Sequence, residues 1–282
     1  MTEDTAAAGA ALRRNRFDAD AARARCKRYR KRILDMSQRV TALHVAPAFS
    51  CAEITDVIYH GLLRRQADGE FRDVFLMSKG HGCLIQYVIL EELGFLTADD
   101  LDSYCTPEGR LGAHPDFGTP GIAASTGSLG HGLGIAVGQA YAEKLKGSDV
   151  VIYCLLSDGE CQEGSTWEAM MMAANLGLSN LVAFLDNNDI SGLERMSESH
   201  KAFYPLPDKV RAFGWEAVET GGHDAEAVFE AVANRAGEKP FMAICKTIKG
   251  KGVSYMEGVP IWHYRSPTKE EYVQALVEIE KG

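Results

Sequence analysis

The chain has 282 residues, of which 46% are hydrophobic, so it can bury a sizeable core and one large domain is the expected organisation. A formal net charge of -9 at pH 7 argues against nucleic-acid binding by the chain as a whole, because neutralising phosphates requires a net basic surface. No stretch is apolar for long enough to span a bilayer, and the first residues lack the apolar segment of a signal peptide.

The cysteines indicate a protein without disulfides or a zinc site. The seven cysteines are scattered along the chain and include no CxxC pair, so neither a zinc site nor a redox dithiol is indicated. We expect reduced, mostly buried thiols, as is typical of a cytoplasmic protein. The sequence therefore predicts a cytoplasmic location with no membrane and no nucleic-acid partner.

The N-terminal region combines a polar tail with a basic segment. Residues 1–16 are alanine-rich and lack periodic apolar spacing, so we expect a flexible tail before one domain over residues 17–282. A dense basic run extends from Arg13 to Arg32 and continues into a helical apolar pattern. The favoured interpretation is a solvated helix face, and the alternative is docking onto an acidic partner surface.

Short apolar runs alternate with helical patterns along the rest of the chain. They are rich in β-branched or aromatic residues and are typical of strands in a buried parallel sheet: residues 150–156, 181–185, 215–218 and 241–246. With helices between them, these runs predict an α/β fold with a doubly wound, mainly parallel sheet and helices on both faces. In such a fold, ligands bind at the carboxyl ends of the strands.

Two of the helical patterns have identifiable ends. Residues 126–146 predict a glycine-rich turn that leads into a helix of small residues, and Gly147 terminates that helix. Ser165 and Glu168 have capping-box spacing and predict the start of an Ala- and Met-rich helix that ends at Gly177.

Oxygen ligands follow two neighbouring predicted strands. Asp158 comes two residues after the run at 150–156, and Asn188 comes three residues after the run at 181–185. The backbone carbonyl of Ile190 can supply a third oxygen. Hard oxygen ligands with room for phosphate oxygens favour Mg²⁺ holding a diphosphate, with Ca²⁺ or Mn²⁺ also possible.

The segment around these ligands resembles a known family. An Asp-Gly pair at 158–159 and an Asn-Asn pair at 187–188 resemble the signature of thiamine-diphosphate enzymes, and residues 157–191 are similar to its transketolase version. Ser157 replaces the usual first glycine of that signature. Further transketolase-like blocks occur in the expected order at residues 75–82 (FLMSKGHG), 110–115 (RLGAHP), 119–140 and 222–224 (GHD). The chain thus resembles the N-terminal, pyrophosphate-binding subunit of a split transketolase over residues 17–282.

The resemblance implies a thiamine-diphosphate-binding fold, with the metal held by Asp158, Asn188 and Ile190. Glycine at positions 127 and 130 would let a diphosphate approach the backbone at a helix start, where free N–H groups favour anions. The implied cofactor contacts are His81, Gly127, Ser128, Leu129, Asp158, Gly159, Glu163, Asn188 and His223.

The implied catalytic residues are His44, His114, His223 and Glu163. His114 would contact the donor's first hydroxyl, and His44 and His223 would face hydroxyls whose protons move during C–C cleavage. Imidazoles suit that task because their pKa lies near 7. Glu163 would reach across a dimer interface to a partner's catalytic glutamate; the alternative is a carboxylate that only favours a helix N-terminus.

Other polar residues receive no catalytic role. We expect three histidines outside the matching blocks to be structural or on the surface: His60, His200 and His263. Residues 160–162 differ from the family's usual loop and are assigned no function. Departures around His44, at Ser128 and His131, and at residues 262–265 predict a reshaped sugar end of the pocket.

The resemblance also implies that the chain acts with a partner. A C-terminal transketolase subunit would supply the aminopyrimidine-binding domain and the catalytic glutamate, in an α2β2 assembly. Together the subunits would transfer a two-carbon ketol unit from a ketose to an aldose, acting on small anionic sugars. Two alternatives stay open, namely the α subunit of a thiamine-dependent 2-oxo-acid dehydrogenase and a non-catalytic regulatory paralogue.

Overall fold

The computed structural model describes residues 17–40 and 43–282, and the predicted tail at residues 1–16 lies outside them. The strands are β1 (Val74–Met77), β2 (Ile152–Ser157), β3 (Leu181–Asn187), β4 (Ile190–Ser191), β5 (Glu194–Arg195), β6 (Glu216–Gly221) and β7 (Phe241–Lys246). The α-helices are α1 (Ala19–Ser37), α2 (Val45–Ser50), α3 (Ala52–Val57), α4 (Cys83–Glu92), α5 (Ala98–Asp102), α6 (Gly132–Lys146), α7 (Gly164–Asn175), α8 (Met196–Ser199), α9 (Leu206–Ala212), α10 (Ala225–Ala233) and α11 (Lys269–Lys281).

The main sheet has five strands in the order β1-β2-β3-β7-β6, and every pairing in it is parallel. The predicted runs at residues 150–156, 181–185, 215–218 and 241–246 correspond to β2, β3, β6 and β7. β4 and β5 form a separate short antiparallel hairpin after β3. Because the strands are parallel, the ends of β1, β2, β3 and β7 meet at one edge.

Hydrophobic residues cover both faces of the sheet. Along β2, Tyr153 and Leu155 belong to one buried cluster, whereas Cys154 and Leu156 belong to a second one. Alternation along a strand sends neighbouring side chains to opposite faces, so these clusters lie on the two sides of the sheet. The predicted doubly wound α/β fold is therefore confirmed. Six of the seven cysteines are buried and all are free thiols, as expected.

The basic helix α1 is not simply solvated. Arg30 is 6% exposed and forms a buried ion pair with Glu53 of α3. Arg25 pairs with the buried Asp56, also of α3. The favoured sequence interpretation overlooked these acidic partners because they lie 23 and 31 positions away in the same chain, beyond the reach of a local charge pattern.

The two helices beside the sheet edge end at the predicted glycines, but one of them, α7, begins differently from the prediction. Gly147 is the left-handed C-cap of α6, and Gly177 follows α7 with a φ of 58°. The predicted capping box of α7 is wrong: Glu163 is its N-cap residue, and the Ser165 hydroxyl donates instead to the Gly130 carbonyl at 2.9 Å. Ser165 thus fastens α7 to the turn before α6.

Gly132 and Gly134 offer a test of packing at the start of α6. A Cβ at Gly132 would lie 2.7 Å from the Ser78 Cα, whereas a Cβ at Gly134 would meet nothing within 4 Å. We expect Gly132→Ala to lower the free energy of unfolding by about 1–3 kcal/mol, because the backbone at Ser78 must move to make room for the added Cβ. Gly134→Ala should raise it by about 0.5–1 kcal/mol through helix propensity. Urea titration of both variants measures the difference, and equal stability would contradict this packing.

Candidate active site

A buried ion pair ties together the carboxyl ends of two strands. Lys79 follows β1, Asp186 lies near the end of β3, and both side chains are fully buried. Asp186 also accepts hydrogen bonds from the hydroxyls of Ser50, at 2.8 Å, and Thr247. Although burial opposes ionisation, the Lys79 charge and these donors hold the pKa of Asp186 below its usual value. Asp186 is therefore a charged and fully compensated carboxylate.

Asp158 lies at the end of the neighbouring strand β2, in a different electrostatic environment. It is fully buried, and among the described residues its oxygens accept only backbone N–H groups, from Gly159 at 2.8 Å and Asp189 at 2.6 Å. Burial and the nearby Asp186 charge raise its pKa to about 7. A carboxylate that lacks a directly bonded cation at this depth is suited to binding one.

The other predicted metal ligands lie on the loop that contacts Asp158. The Asn188 side-chain oxygen accepts from the Ile190 N–H at 3.0 Å, and its nitrogen donates to Ser50 at 3.1 Å. Within residues 17–40 and 43–282 no group of three or more His, Cys, Asp or Glu side chains could hold a metal. The predicted set needs only one such side chain, because an amide and a backbone carbonyl complete it. These oxygens fit a hard divalent cation.

Lys249 lies against the same loop, and the sequence interpretation gave it no role. Its side chain is buried, with the ammonium 3.5 Å from the Ile190 carbonyl and 2.8 Å from the Nδ1 atom of His263. Burial and the charge of Lys79 lower its pKa to about 8. A cation here is placed to meet an anionic group that binds beside the metal ligands.

Four histidines form a cluster next to this edge. The ring centroid of His44 lies 6.0 Å from that of His81, 6.1 Å from that of His114 and 5.7 Å from that of His263. The rings of His81 and His263 stack at 5.3 Å. His263, which was expected to be a structural or surface residue, therefore lies within the histidine cluster. The other two histidines given no role do fit that expectation: His60 bonds Tyr29, and His200 is exposed.

Three rings of the cluster are neutral. Burial lowers the pKa of His44 to about 4, and burial together with Lys249 lowers that of His263 to about 3. Burial and Lys79 lower the pKa of His81 as well. Because the Lys249 ammonium donates to Nδ1 of His263, the proton of that ring is on Nε2. The cluster also contains the buried Nδ1 of His44, which has no hydrogen-bond partner within the part of the chain that the structure describes.

His223 does not join this cluster as predicted. Its Nδ1 lies 2.9 Å from Glu53, and its Nε2 accepts the Ile248 N–H at 2.8 Å. Both ring nitrogens are thus engaged within the chain, and neither is free to bind a sugar hydroxyl or the cofactor. The sequence interpretation placed His223 in the site because its GHD block matched that of the family. In the structure this block follows β6, and the His223 side chain contacts Glu53 and the Ile248 backbone.

Glycines bring the histidine blocks close together. A Cβ at Gly80 would lie 2.6 Å from the Gly127 Cα, and one at Gly127, which has a φ of 124°, would lie 2.6 Å from the His114 ring. Only glycine permits this approach and this conformation. His81 and His114 therefore flank the glycine-rich turn that precedes α6. In that turn Ser128 is exposed and Leu129 is half-buried.

Glu160 anchors the same turn, although the sequence interpretation assigned it nothing. Its carboxylate is fully buried and accepts from the Gly130 N–H at 2.9 Å and from the Ser78 hydroxyl. Thr126 donates to the Met77 carbonyl at 2.6 Å and fixes the other end of the turn to β1. The free N–H groups at the start of α6 are therefore held in place, as an anion site requires.

Two further predicted residues lie at the margin of the site. Gly159 leaves no space for a side chain, because a Cβ would lie 2.9 Å from the Ser191 hydroxyl. Glu163 is exposed at the N-cap of α7 and makes no capping bond, so its reach across an interface stays a prediction beside the local role at the helix N-terminus.

Residues 22–279 match the protein family described as the thiamine diphosphate binding domain of transketolase. The chain belongs to this family. One of the subunits of the apulose-4-phosphate transketolase of Phocaeicola vulgatus is 36% identical over 255 residues, covering 89% of this chain and 90% of that protein. The 6-deoxy-6-sulfo-D-fructose transketolase subunit SqwG of a Clostridium species is 36% identical over 258 residues, covering 89% and 94%.

Solved transketolases share the fold. The enzyme of Campylobacter jejuni superposes with a TM-score of 0.85 at 27% identity, covering 94% of this chain and 43% of that chain. The enzyme of Leishmania mexicana gives a TM-score of 0.83 at 28% identity, with coverages of 92% and 41%. The chain thus spans less than half the length of these transketolases. The family resemblance and the thiamine-diphosphate-binding fold are confirmed, and neither alternative function is favoured.

Of the helices that the structure describes, none is both long and apolar enough to cross a membrane.

The buried pair of Lys79 and Asp186 provides a test of site energetics. Lys79→Met should lower the free energy of unfolding by about 3–5 kcal/mol, because Asp186 would keep a buried charge without its cation. Lys246→Met is the matched control, since Lys246 pairs with Glu219 while 66% exposed and should change stability by less than about 1 kcal/mol. Urea unfolding measures the free energy of unfolding of both variants. A similar small decrease in the two would refute the stabilising role of the Lys79–Asp186 pair.

Proposed function

We propose that this chain is the N-terminal subunit of a two-subunit transketolase. It holds thiamine diphosphate and a divalent metal and, with a C-terminal subunit, transfers a two-carbon ketol unit from an anionic ketose to an aldose. The observation that carries the proposal is the meeting, at one sheet edge, of the undercompensated Asp158 carboxylate and a cluster of histidines. The first supports a metal-bound diphosphate, and the second supports recognition of sugar hydroxyls.

The metal site comprises Asp158, Asn188 and the Ile190 carbonyl, with Mg²⁺ as the favoured ion and Ca²⁺ or Mn²⁺ as alternatives. The N-terminus of α6 and the turn at Gly127, Ser128 and Leu129 offer N–H groups to the diphosphate. Gly159 and His81 lie beside that path. When bound, thiamine diphosphate supplies the nucleophilic carbon needed to break and form bonds next to a ketone.

The histidine cluster handles the sugar. His44, His114 and, from its position in the cluster, His263 present imidazole nitrogens that donate to or accept from the hydroxyls of donor and acceptor. Neutral imidazole can do both, whereas an imidazolium could only donate. Because the ring of His263 has its proton on Nε2, we assign it a donor role toward the substrate.

The partner chain supplies the aminopyrimidine-binding domain and the catalytic glutamate, in an α2β2 assembly. Two relatives are named as subunits, and the chain spans less than half of the solved transketolases it matches. The exposed Glu163 is available to reach that partner. The seven free cysteines of the chain agree with a cytoplasmic location.

An assay of the reconstituted pair tests the reaction class. The chain co-purified with its partner should cleave a ketose phosphate in the presence of an aldose acceptor, thiamine diphosphate and Mg²⁺, and the chain alone should be inactive. A 2-oxo acid should not be consumed, because the histidine cluster serves hydroxyl groups. Turnover of the 2-oxo acid alone would replace this function with that of a dehydrogenase subunit.

Asp158 is the variant that tests metal binding. Asp158→Ala should weaken Mg²⁺-dependent thiamine diphosphate binding by at least about 100-fold, because the cation loses its carboxylate ligand and even indirect ligand partners cost 10–100-fold. Asp208→Ala is the control, since the Asp208 side chain is 71% exposed on α9. The affinity of this variant for thiamine diphosphate should be unchanged. Calorimetric titration of the co-purified complex gives both values. Equal cofactor affinity in the two variants would exclude Asp158 as the ligand.

A further inference from the structure

The hydrogen bonds of His223 fix its tautomer. The Ile248 N–H can only donate, so the Nε2 atom of His223 that accepts it at 2.8 Å has no proton. The ring proton is therefore on Nδ1, which donates to the Glu53 carboxylate at 2.9 Å. His223 thus joins the end of β6 to the segment that follows β7 by one donated and one accepted bond.

Glu53 is itself rigidly held. Arg30 of α1 donates to both of its oxygens, at 2.7 Å and 2.9 Å, and each of the two side chains is about nine-tenths buried. Although burial opposes ionisation, Arg30 and the His223 bond lower the pKa of Glu53 to about 2. A continuous hydrogen-bonded chain therefore runs from Arg30 through Glu53 and His223 to the Ile248 backbone.

The segment at the end of this chain, residues 247–249, has functional side chains on both sides of Ile248. Thr247 donates to the buried Asp186, and Lys249 contacts the Ile190 carbonyl and His263. The Ile248 side chain is 39% exposed, so packing of that side chain contributes little to holding the segment. Backbone bonds hold both ends of the segment, from the Thr247 N–H to the Asn187 carbonyl at 3.1 Å and from the Gly258 N–H to the Lys249 carbonyl at 2.9 Å. Between them, the Ile248 N–H is held by His223.

We propose that His223 is a positioning residue, which fixes residues 247–249 and thereby holds Lys249 toward the metal and the diphosphate. This role replaces the contact with sugar hydroxyls expected from the sequence, and it rests on the proposed function. Ligands and their supporting groups must be held within about 0.5 Å for full effect. The His223 side chain acts through the backbone of Ile248 and is not proposed to touch a cofactor or substrate atom.

Two substitutions separate the two hydrogen bonds of His223, the one to Glu53 and the one from the Ile248 N–H. His223→Asn can keep a donor at the Nδ1 position toward Glu53 but is too short to reach Ile248. His223→Gln can put an acceptor at the Nε2 position while losing the donor toward Glu53. If His223 acts only through its bond to Glu53, His223→Gln should weaken cofactor binding more than His223→Asn does. If His223 positions the Ile248 backbone, His223→Asn should weaken cofactor binding more.

Two measurements are made on the wild type and on both variants. Amide hydrogen exchange in the full chain reports protection of the Ile248 N–H. Calorimetric titration of thiamine diphosphate with Mg²⁺ into the co-purified complex reports affinity. We expect His223→Asn to lose Ile248 protection and to bind the cofactor about 10-fold more weakly, as supporting residues of metal sites do. His223→Gln should keep protection and stay within about twofold of wild-type affinity.

The outcomes distinguish this inference from the proposed function. Wild-type protection and affinity in His223→Asn would overturn the inference, and so would a folded His223→Gln variant with weakened affinity. The second result remains decisive if His223→Asn fails to fold. A wild-type complex that binds no thiamine diphosphate would instead overturn the proposed function, whatever the variants do.

Discussion

The arrangement of the site depends on one buried ion pair, between Lys79 and Asp186. A charge pair removed from water is costly unless its remaining hydrogen-bonding capacity is satisfied. Here the Pro47 carbonyl accepts from Lys79 at 3.1 Å, and the Ser50 and Thr247 hydroxyls donate to Asp186. Satisfying the pair therefore requires the end of β1, the end of β3, helix α2 and the segment after β7 to converge, and the candidate ligands lie on or beside these elements.

The same pair explains why two equally buried carboxylates have different roles. Asp186 has a cation and hydroxyl donors, so its pKa is lowered. Asp158 accepts from two backbone N–H groups, and burial and the repulsion of Asp186 raise its pKa to about 7. Environments that move the pKa values of neighbouring groups apart commonly mark a division of labour. The first carboxylate stabilises the edge of the sheet, and the second is available to a metal ion.

Local sequence patterns predicted the strands that are long and apolar, and the strand-end positions of Asp158 and Asn188. They missed β1, which has only four residues, and the capping of α7, because Ser165 bonds a residue 35 positions away. Lys249 and His263 were missed for a related reason, since their neighbours Ile190 and His44 are distant in sequence. His223 was misplaced because a matching motif identifies a residue type but not the direction of its side chain.

The histidine cluster has a consequence for synthesis of the protein. Its members are drawn from positions 44, 81, 114 and 263, so they span most of the chain. Lys249 and His263 are also among the last parts of the domain to leave the ribosome, where domains fold as units during translation. A nascent or prematurely terminated chain would have the aspartate and the glycine-rich turn but not the complete pocket. Assembly of the complete pocket is thus coupled to completion of the polypeptide.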